Sequence, residues 1–221
     1  MKKYPKMKPS GEEWMGEVPE HWELKKLKFI GKAIIGLTYK PEEVVDFEKE
    51  GTLVLRSSNI QNGELNFGDD VFVKTKIPDE LRIRFGDILI CARNGSRELV
   101  GKNICITDES LIGATFGAFM TVFRTPYWRF ISKVLSSIIF KAQSGLFSSS
   151  TINQLTSGTL NSILVPIPPD ETEQITIATY LDQKTTQIDA SIHGIQQEIA
   201  LLQEYRQALI FEAVTGKVCV I

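Results

Sequence analysis

The stretch that decides the fold is residues 171–215, ETEQITIATYLDQKTTQIDASIHGIQQEIALLQEYRQALIFEAVT. In a heptad frame, Ile192 and Ile199 occupy a positions, whereas Thr185 and Arg206 are polar exceptions there. Every d position is isoleucine or leucine, namely Leu181, Ile188, Ile195, Leu202 and Leu209. Alternating steps of three and four keep one apolar stripe on a helix, the seam used in helix pairing. The pattern predicts one helix of roughly 65 Å, at 1.5 Å per residue, that packs along a partner helix.

The ends of this helix are also marked in the sequence. Two prolines at positions 168 and 169 precede it, and Asp170 followed by Glu173 has the spacing of an N-terminal capping box. Gly216 is typical of a helix stop. An alternative interpretation is that this helix lies on its own domain instead of pairing with a partner.

The length of 221 residues allows one domain in addition to the helix. We expect a globular domain over residues 1–168 and the helical region over residues 169–217. The sequence has no run of 18 apolar residues and no apolar segment near Met1, so neither a membrane span nor a signal peptide is predicted. The predicted location is the cytoplasm. Three cysteines without CxxC spacing indicate reduced thiols rather than a disulfide or zinc framework.

The formal net charge is −2, but the charge is unevenly distributed. Residues 1–41 carry a net +4 and residues 82–145 a net +5, whereas residues 42–81 carry −6 and residues 146–221 carry −5. A basic surface can therefore exist on an acidic protein, and the local patch is what meets phosphates. Charge alone is weak support for a nucleic-acid partner, since most charged stretches are solvated faces.

Short apolar runs alternate with turn residues between the N-terminal lead-in and the long helix. Apolar residues recur at helical spacing over Tyr127–Gln143, which predicts an amphipathic helix. The predicted fold class is α/β (α+β), with a twisted mixed or antiparallel sheet, a flanking helix and the long C-terminal helix. Strands are predicted for Leu24–Ile30, Thr52–Leu55, Val71–Val73, Ile88–Ala92, Asn103–Thr107, Ala118–Arg124 and Ser162–Val165.

Catalytic motifs fail on spacing or composition. Gly95–Asn103 superficially resembles a P-loop, but five residues separate its glycines instead of four, and Asn103 stands where Ser or Thr binds Mg²⁺. We interpret this stretch as a hairpin loop. The two histidines, His21 and His193, support neither a Ser-His-Asp triad nor a histidine metal site. The acidic residues are too dispersed for a nuclease metal site, so the sequence predicts a non-catalytic chain without a metal.

Three polar loops share a composition rich in Arg, Asn, Ser and Thr and poor in acids. Such side chains reach base edges or phosphates, with arginine suited to guanine and asparagine to adenine. The simpler alternative is that these Asn-Gly and Ser-rich loops are only turns. Recurrence of one chemistry favours a binding face with the candidates Arg56, Ser57, Asn59, Arg93, Asn94, Ser96, Arg97, Lys102, Ser148, Ser149, Thr151 and Asn153.

Several segments resemble the specificity subunits of type I restriction-modification enzymes. Ser10–Trp14 and Gly16–Trp22 are similar to the lead-in of their target recognition domains. Phe85–Leu89, and Ile163–Pro169 with Glu173 and Gln174, resemble internal and domain-closing segments. Tyr205–Ile210 with Ala213–Lys217 resembles the end of the conserved helical region. The resemblance covers nearly the whole chain, and its lead-in and helix-end motifs are the specific parts.

This resemblance implies a target recognition domain that reads a few base pairs of double-stranded DNA, and a helix that spaces it from a second such domain. It also implies methylation subunits as partners, with a restriction subunit where one exists. S-adenosylmethionine, ATP and Mg²⁺ are expected on those partners and none on this chain. Family members usually contain two recognition domains and two helices, so this chain is either a half-size subunit or the front half of a longer one.

For a half-size subunit, the favoured hypothesis is a homodimer through antiparallel C-terminal helices, with a palindromic bipartite site. The expected interface residues are Leu181, Ile188, Ile192, Ile195, Ile199, Leu202, Arg206 and Leu209. One alternative is a coiled-coil adaptor or truncated remnant that binds the methylation subunit without reading DNA. Another, the recognition region of a single-chain restriction-methylation enzyme, requires a methyltransferase domain that these residues do not encode.

Overall fold

The structure is a computed structural model that describes residues 4–46, 50–61, 63–143 and 153–219. Its contacts divide the chain into a globular unit, Met1–Ile175, and a helical unit, Thr176–Ile221. The strands are β1 (Met7–Pro9), β2 (Glu17–Pro19), β3 (Glu23–Lys26), β4 (Lys32–Ile35), β5 (Val44–Val45), β6 (Thr52–Leu55), β7 (Ile60–Gln61), β8 (Glu64–Leu65), β9 (Phe72–Val73), β10 (Ile88–Cys91), β11 (Asn103–Cys105), β12 (Thr115–Phe116), β13 (Met120–Arg124) and β14 (Leu164–Ile167). The helices are α1 (Trp128–Ser136), α2 (Ile138–Ala142), α3 (Ser157–Ser162) and α4 (Glu171–Val214).

The centre of the globular unit is an antiparallel sheet with the strand order β11-β10-β13-β4. Its register places Leu89 of β10 opposite Val122 of β13 and Ile104 of β11. All four residues of β10 are buried, so this strand is an unbroken apolar run instead of an alternating one. Burying one such side chain contributes about 1.5–3 kcal/mol, and β10 therefore anchors the sheet.

A second sheet, ordered β12-β6-β9-β5, packs against the central one. Leu55 of β6 and Phe116 of β12 lie in one apolar cluster with Leu89, Cys91 and Val122 of the central sheet. The pair β12–β6 is parallel, whereas β6–β9 and β5–β9 are antiparallel. The unit is therefore a mixed α/β fold, which confirms the predicted class.

The prediction of one helix over Tyr127–Gln143 is wrong, because the helix is interrupted between α1 and α2. Ser137 has extended backbone angles, φ −91° and ψ 175°. Its hydroxyl donates to the Val134 carbonyl at 2.7 Å and accepts from the Ile139 N–H at 3.2 Å. Ser137 thus closes α1 and caps α2, which a helical apolar pattern does not reveal.

Of the seven predicted strands, Thr52–Leu55 has the expected bounds and the other six differ from theirs by one to four residues at an end. The run from Leu24 does not stay extended to Ile30, because β3 ends at Lys26 and Leu27–Phe29 form a 3₁₀ turn. The last strand, β14, begins and ends two residues later than the predicted strand Ser162–Val165, and it pairs with β3. Helix α3 precedes it and was not predicted, although Thr156 caps it by accepting from the Thr159 N–H at 3.1 Å.

The long C-terminal helix is confirmed by α4, which has 44 residues. At its start, Asp170 accepts from the Thr172 N–H at 3.0 Å and so caps the first turn. The second half of the predicted capping box is wrong, because Glu173 is occupied by other partners. Its carboxylate accepts from the Tyr4 hydroxyl at 2.7 Å and the Trp22 indole at 3.0 Å.

The predicted stop at the other end is confirmed. Gly216 adopts a left-handed φ of +69°, where a side chain would be strained. Its N–H donates to the Ala213 carbonyl at 3.3 Å, and the Lys217 N–H donates to the Glu212 carbonyl at 2.9 Å. These two bonds form a Schellman motif, which satisfies carbonyls left over at the helix end.

Candidate nucleic-acid interface

The first two predicted polar loops and Asn153, the described end of the third, come together in the globular unit. We call residues 56–59, after β6, loop A, and residues 92–102, between β10 and β11, loop B. The Asn94 amide of loop B donates to the Ser57 hydroxyl of loop A at 3.2 Å. Loop B also meets the segment that begins at Asn153, whose amide donates to the Gly95 carbonyl at 3.1 Å. Three stretches that are distant in sequence thus form one surface.

A fourth stretch, residues 117–119 between β12 and β13, joins this surface and is called turn C. The Phe119 carbonyl accepts from both the Ala92 N–H at 2.9 Å and the Arg93 N–H at 3.0 Å. The Gly117 N–H donates to the Leu55 carbonyl at 3.0 Å. Turn C is therefore fixed to the starts of both loop A and loop B by backbone bonds.

Loop A directs most of its polar groups inward. Asn59 is 1% exposed, and its side-chain oxygen accepts from the Arg56 N–H at 2.9 Å. Its amide nitrogen donates to the Asn66 carbonyl at 3.0 Å and to Asp70 at 3.1 Å. Because these bonds use the side chain fully, Asn59 holds the loop and is not free to reach a base edge without rearrangement.

Arg56, the cation of loop A, has an internal partner as well. Its Nη2 lies 2.7 Å from both the carboxylate and the carbonyl of Asp69. Its Nε is buried without a partner among the described residues. The nearby carboxylate offsets the guanidinium charge, so loop A contributes less positive potential than its sequence predicts.

Loop B directs both of its arginines outward. Arg93 and Arg97 are both exposed, and Arg93 lies over the Phe119 ring with its guanidinium carbon 5.1 Å from the ring centroid. The Asn94 oxygen accepts from the Ser96 N–H at 2.9 Å, which fixes the turn before Arg97. Two guanidinium groups therefore face solvent on a loop held by its own backbone.

Lys102 closes loop B and borders a cavity of about 950 Å³ between loop B, the β7–β8 hairpin and the α1–α2 pair. Its ammonium donates to the Ile60 carbonyl at 2.5 Å, so its head group is fixed. Arg97 and Lys141 also line the cavity, with Glu98 as the acidic residue among the described lining. The excess of cations over carboxylates makes this side of loop B attractive to phosphate groups.

The thiol beneath loop B is not suited to chemistry. Cys91 is buried at the end of β10, and burial raises the pKa of its thiol, although Lys102 acts in the opposite direction. The protonated thiol donates to the Arg93 carbonyl at 3.6 Å. Cys91 therefore supports the loop and is not a nucleophile, because the thiolate is the reactive form.

A buried ion pair supports the strand that leads to loop B. Asp87, 1% exposed, accepts from Nε and Nη2 of Arg124, both at 2.7 Å. It also accepts from the Arg84 N–H at 2.8 Å. The hydrogen bonds that Arg124 donates to Asp87 come first among the causes that raise the pKa of Arg124. This bidentate pair fixes the turn before β10 and gives the Phe85–Leu89 motif a structural role.

A second supporting cluster joins the N-terminal lead-in to the first turn of α4. His21 Nε2 lies 2.9 Å from Glu173, in addition to the Tyr4 and Trp22 bonds described above. Burial acts to raise the pKa of Glu173, but these three hydrogen bonds outweigh it and lower the pKa. Partial burial, followed by the hydrogen bond and charge of Glu173, raises the pKa of Tyr4 to about 12.

Some predicted site residues remain outside this description. Ser148, Ser149 and Thr151 lie outside the described residues, whereas Asn153 is half-buried at the edge of loop B. Sequence reasoning missed Phe119, which is 58% exposed on turn C. The available signal was a large aromatic residue directly after Gly117 and Ala118, where a tight turn interrupts two apolar runs.

The predicted pairing residues of α4 lie mainly on its surface. Leu181 is half-buried and Arg206 is exposed. The remaining six predicted residues are between 47% and 58% exposed, namely Ile188, Ile192, Ile195, Ile199, Leu202 and Leu209. Such a row of exposed Ile and Leu is unusual for a helix whose apolar stripe faces its own core.

Within the described residues, no group of three or more His, Cys, Asp or Glu side chains is arranged to hold a metal ion. No helix in this part of the chain combines the length and apolarity needed to cross a membrane.

The globular unit is a mixed α/β fold with clustered polar loops, and the long helix α4 carries a row of exposed Ile and Leu. The chain belongs to the family of type I restriction modification DNA specificity domains, whose family model matches residues 19–201. This membership confirms the predicted family, the specificity subunits of type I restriction-modification enzymes.

Two curated relatives illustrate the relationship. The chain is 32% identical over 208 residues to the type I restriction enzyme EcoKI specificity subunit of Escherichia coli K12. It is 30% identical over 207 residues to the StySPI specificity subunit of Salmonella potsdam. Each alignment covers 91% of this chain and 44% of the relative, so the chain spans less than half the length of these relatives.

Solved structures show the same fold at lower identity. A chain from a study of complex assembly and conformational transition in the type I R-M system matches with a TM-score of 0.73 and 20% identity. The HsdS subunit of Thermoanaerobacter tengcongensis matches with a TM-score of 0.64 and 19% identity. The matches cover 94% and 96% of this chain and 48% of each solved chain.

Proposed function

We propose that the chain is the sequence-specific DNA-binding specificity subunit of a type I restriction-modification complex. It selects the bipartite DNA site that partner subunits methylate or restrict. The observation that carries this proposal is the pair of exposed arginines, Arg93 and Arg97, on the surface where loop A, loop B and turn C meet. Membership in the specificity-domain family supports it independently.

The polar side chains of this surface fall into two sets, those suited to base edges and those suited to phosphate oxygens. Arg93 carries a planar guanidinium that can pair with O6 and N7 of guanine in the major groove. Arg97 and Lys102, beside the cavity, suit phosphate oxygens, which fix register without reading sequence. Asn94 and Ser57 already bond to each other and act mainly by holding the surface in shape.

The helical unit supplies the second half of the site. In this proposal α4 pairs antiparallel with α4 of a second copy through the seam that contains Ile188, Ile195 and Leu202, which are all exposed. An isologous contact of this kind is self-complementary and gives a palindromic bipartite target. Recognition domains about one DNA turn apart, roughly 34 Å, are within the reach of a helix of this length.

The remaining chemistry belongs to partner subunits in this proposal. Methylation subunits, and a restriction subunit where one is present, dock on the assembled helices. S-adenosylmethionine, ATP and Mg²⁺ bind those partners, and this chain holds no cofactor. Double-stranded DNA is then the substrate that this chain contacts directly.

The first test is to express the chain with its methylation subunit and map methylated adenines across a genome. We expect methylation at one bipartite motif that disappears when this chain is omitted. The same motif methylated without this chain would refute the proposal, because selection would then reside in the partner.

The second test removes the charges that the proposal uses. Arg93→Ala with Arg97→Ala should weaken DNA binding and make the dependence of log K on log[salt] less steep, by roughly 0.9 for each lost phosphate contact. The matched control is Lys74→Ala with Lys76→Ala, two exposed cations that follow the end of β9 paired with Thr52. Thr52 is at the opposite end of β6 from loop A, so this control should bind DNA as the wild type does.

A second candidate function is a coiled-coil adaptor that binds the methylation subunit without reading DNA. It is favoured by exposed apolar residues outside the seam of α4, such as Leu201, Tyr205 and Phe211 at 65%, 66% and 55% exposure. The double arginine variant separates the two functions. DNA affinity and salt slope that stay at wild-type values would favour the adaptor.

The dimer is tested separately from DNA binding. Ile195→Asp places a charge in the seam and should shift the chain to a monomer at micromolar concentration, as measured by light scattering. Ala190→Asp, at an exposed f position on the side of the helix away from the seam, is the control and should leave the mass unchanged. A wild-type chain that is strictly monomeric at this concentration would rule out the homodimer and point to another subunit as the helix partner.

A further inference from the structure

We propose that Phe119 and Arg93 form one composite recognition element that reads a guanine and the C5 methyl group of a neighbouring thymine. This inference rests on the proposed function, because it assigns base contacts within the same DNA-binding surface. It starts from an exposed aromatic ring on turn C that lies directly beside the exposed arginine of loop B.

The backbone holds turn C in place, so the Phe119 ring is not needed for that purpose. The Phe119 carbonyl accepts two N–H groups from loop B, and the Met120 N–H donates to the Gly117 carbonyl at 2.8 Å to close the turn. Met120 is buried beneath, whereas the Phe119 side chain is 58% exposed. The ring is therefore presented to solvent on a fixed support.

The ring in turn orients Arg93. The guanidinium carbon of Arg93 lies 5.1 Å from the centroid of the Phe119 ring, which is within the range of a cation–π interaction. A guanidinium held over the ring keeps its planar fork of N–H donors, which can pair with guanine O6 and N7. An arginine held in this way loses less conformational freedom when it binds a base.

The same stacking argues against insertion of Phe119 between base pairs. A wedge residue separates two bases and has one against each face. Here the guanidinium covers one face, so the opposite face and the ring edge are what remain for DNA. Apolar contact between phenylalanine and the thymine methyl group in the major groove fits that geometry.

The separation of the two groups sets where their bases lie. Successive base pairs are about 3.4 Å apart, so groups about 5 Å apart fall on neighbouring base pairs. We therefore expect one half of the target to contain a G·C pair next to an A·T pair, with the thymine methyl group on the Phe119 side.

The test uses the mapped target in complex with the methylation subunit. Duplexes are made in which each thymine is replaced, one at a time, by deoxyuridine, which keeps the base pairing and lacks the methyl group. For the wild type, one replacement next to a G·C pair should weaken binding about three- to fivefold, as expected for one lost methyl contact. Phe119→Ala should bind the thymine duplex several-fold more weakly and lose the preference for thymine over uracil at that position.

Phe119→Leu is the matched variant, because it keeps an apolar side chain and should retain part of that preference. Equal melting temperatures of wild type and variants would show that the fold is intact. Two results would overturn the inference while leaving the proposed function standing: no thymine whose replacement matters, or a thymine preference that survives in Phe119→Ala. Failure of the proposed function is distinct, because the same motif would then be methylated when this chain is omitted.

Discussion

Loop A and loop B both contain Arg, Ser and Asn, yet the structure uses these side chains in opposite ways. In loop A, Asn59 is buried with its amide fully bonded, and Arg56 pairs with Asp69. In loop B, Arg93 and Arg97 are exposed. Residue types that suit DNA contact are therefore not enough, because the same types also build turns. What distinguishes the loops is whether the polar atoms already have partners within the protein.

The largest effect is expected at the support of loop B and not in either loop. Asp87→Asn removes the charge that pairs with Arg124 in a buried setting, which should lower the free energy of unfolding by about 3 kcal/mol. Urea unfolding measures this change. The matched control is Asp79→Asn, because Asp79 pairs with Arg84 on the surface and exposed pairs contribute little. An equal loss in both variants would contradict the structural role of the Asp87–Arg124 pair.

The contrast between the loops is tested most directly by two asparagines. Asn59→Ala leaves the Arg56 N–H and the Asn66 carbonyl without their partner, which should lower the free energy of unfolding by about 2 kcal/mol. Asn94→Ala in loop B removes bonds near the surface and should cost about 1 kcal/mol or less. Chemical denaturation measures both changes. A larger loss of stability for Asn94→Ala than for Asn59→Ala would contradict the difference between the two loops.

The sequence predicts parts of this surface and not others, for physical reasons. Strand β6 agrees with its predicted range, because its apolar run is local information. The internal use of Asn59 was not predictable, because its partners Asn66 and Asp70 approach it only through the path of the chain after β8. Phe119 was overlooked because its place beside Arg93 depends on the packing of turn C against loop B.

Arg97 is exposed, whereas Arg56 is paired with Asp69, and replacing either should affect DNA binding and not stability. Arg97→Ala should weaken DNA binding about three- to tenfold and reduce the salt slope by roughly 0.9, since the side chain is exposed and suited to a phosphate. Arg56→Ala should change the salt slope less, because Asp69 already offsets its charge. Fluorescence anisotropy over a salt series measures both. A larger slope change for Arg56 than for Arg97 would reverse the assignment of the two loops.

In the long helix, too, features set by neighbouring residues were predictable from the sequence, whereas features set by tertiary contacts were not. Its stop at Gly216 was predictable, because a left-handed residue and its two hydrogen bonds are set within one turn. The role of Glu173 was not, because Tyr4, His21 and Trp22 are more than 150 residues away in sequence. A local capping rule assigned Glu173 to Asp170, whereas tertiary partners determine its bonding.

The smallest expected effect is a dependence of stability on pH that arises from Glu173. Like Asn59 of loop A, this side chain already has hydrogen-bond partners within the protein. Its pKa in the folded protein lies below the ordinary value of 4.5, because three hydrogen bonds outweigh burial. Its contribution to stability is therefore fully present above about pH 4.5 and is lost as the pH falls through the lowered pKa. Wild type should exceed Glu173→Gln in stability at pH 7, and the difference should shrink as the pH falls below about 4.5.

Glu171→Gln, an exposed carboxylate in the same first turn, is the control and should not reproduce this trend in unfolding measured from pH 7 to pH 3. A constant difference between wild type and Glu173→Gln over that range would mean that the charge of Glu173 does not stabilise the cluster, and that its hydrogen bonds work equally well with a neutral side chain.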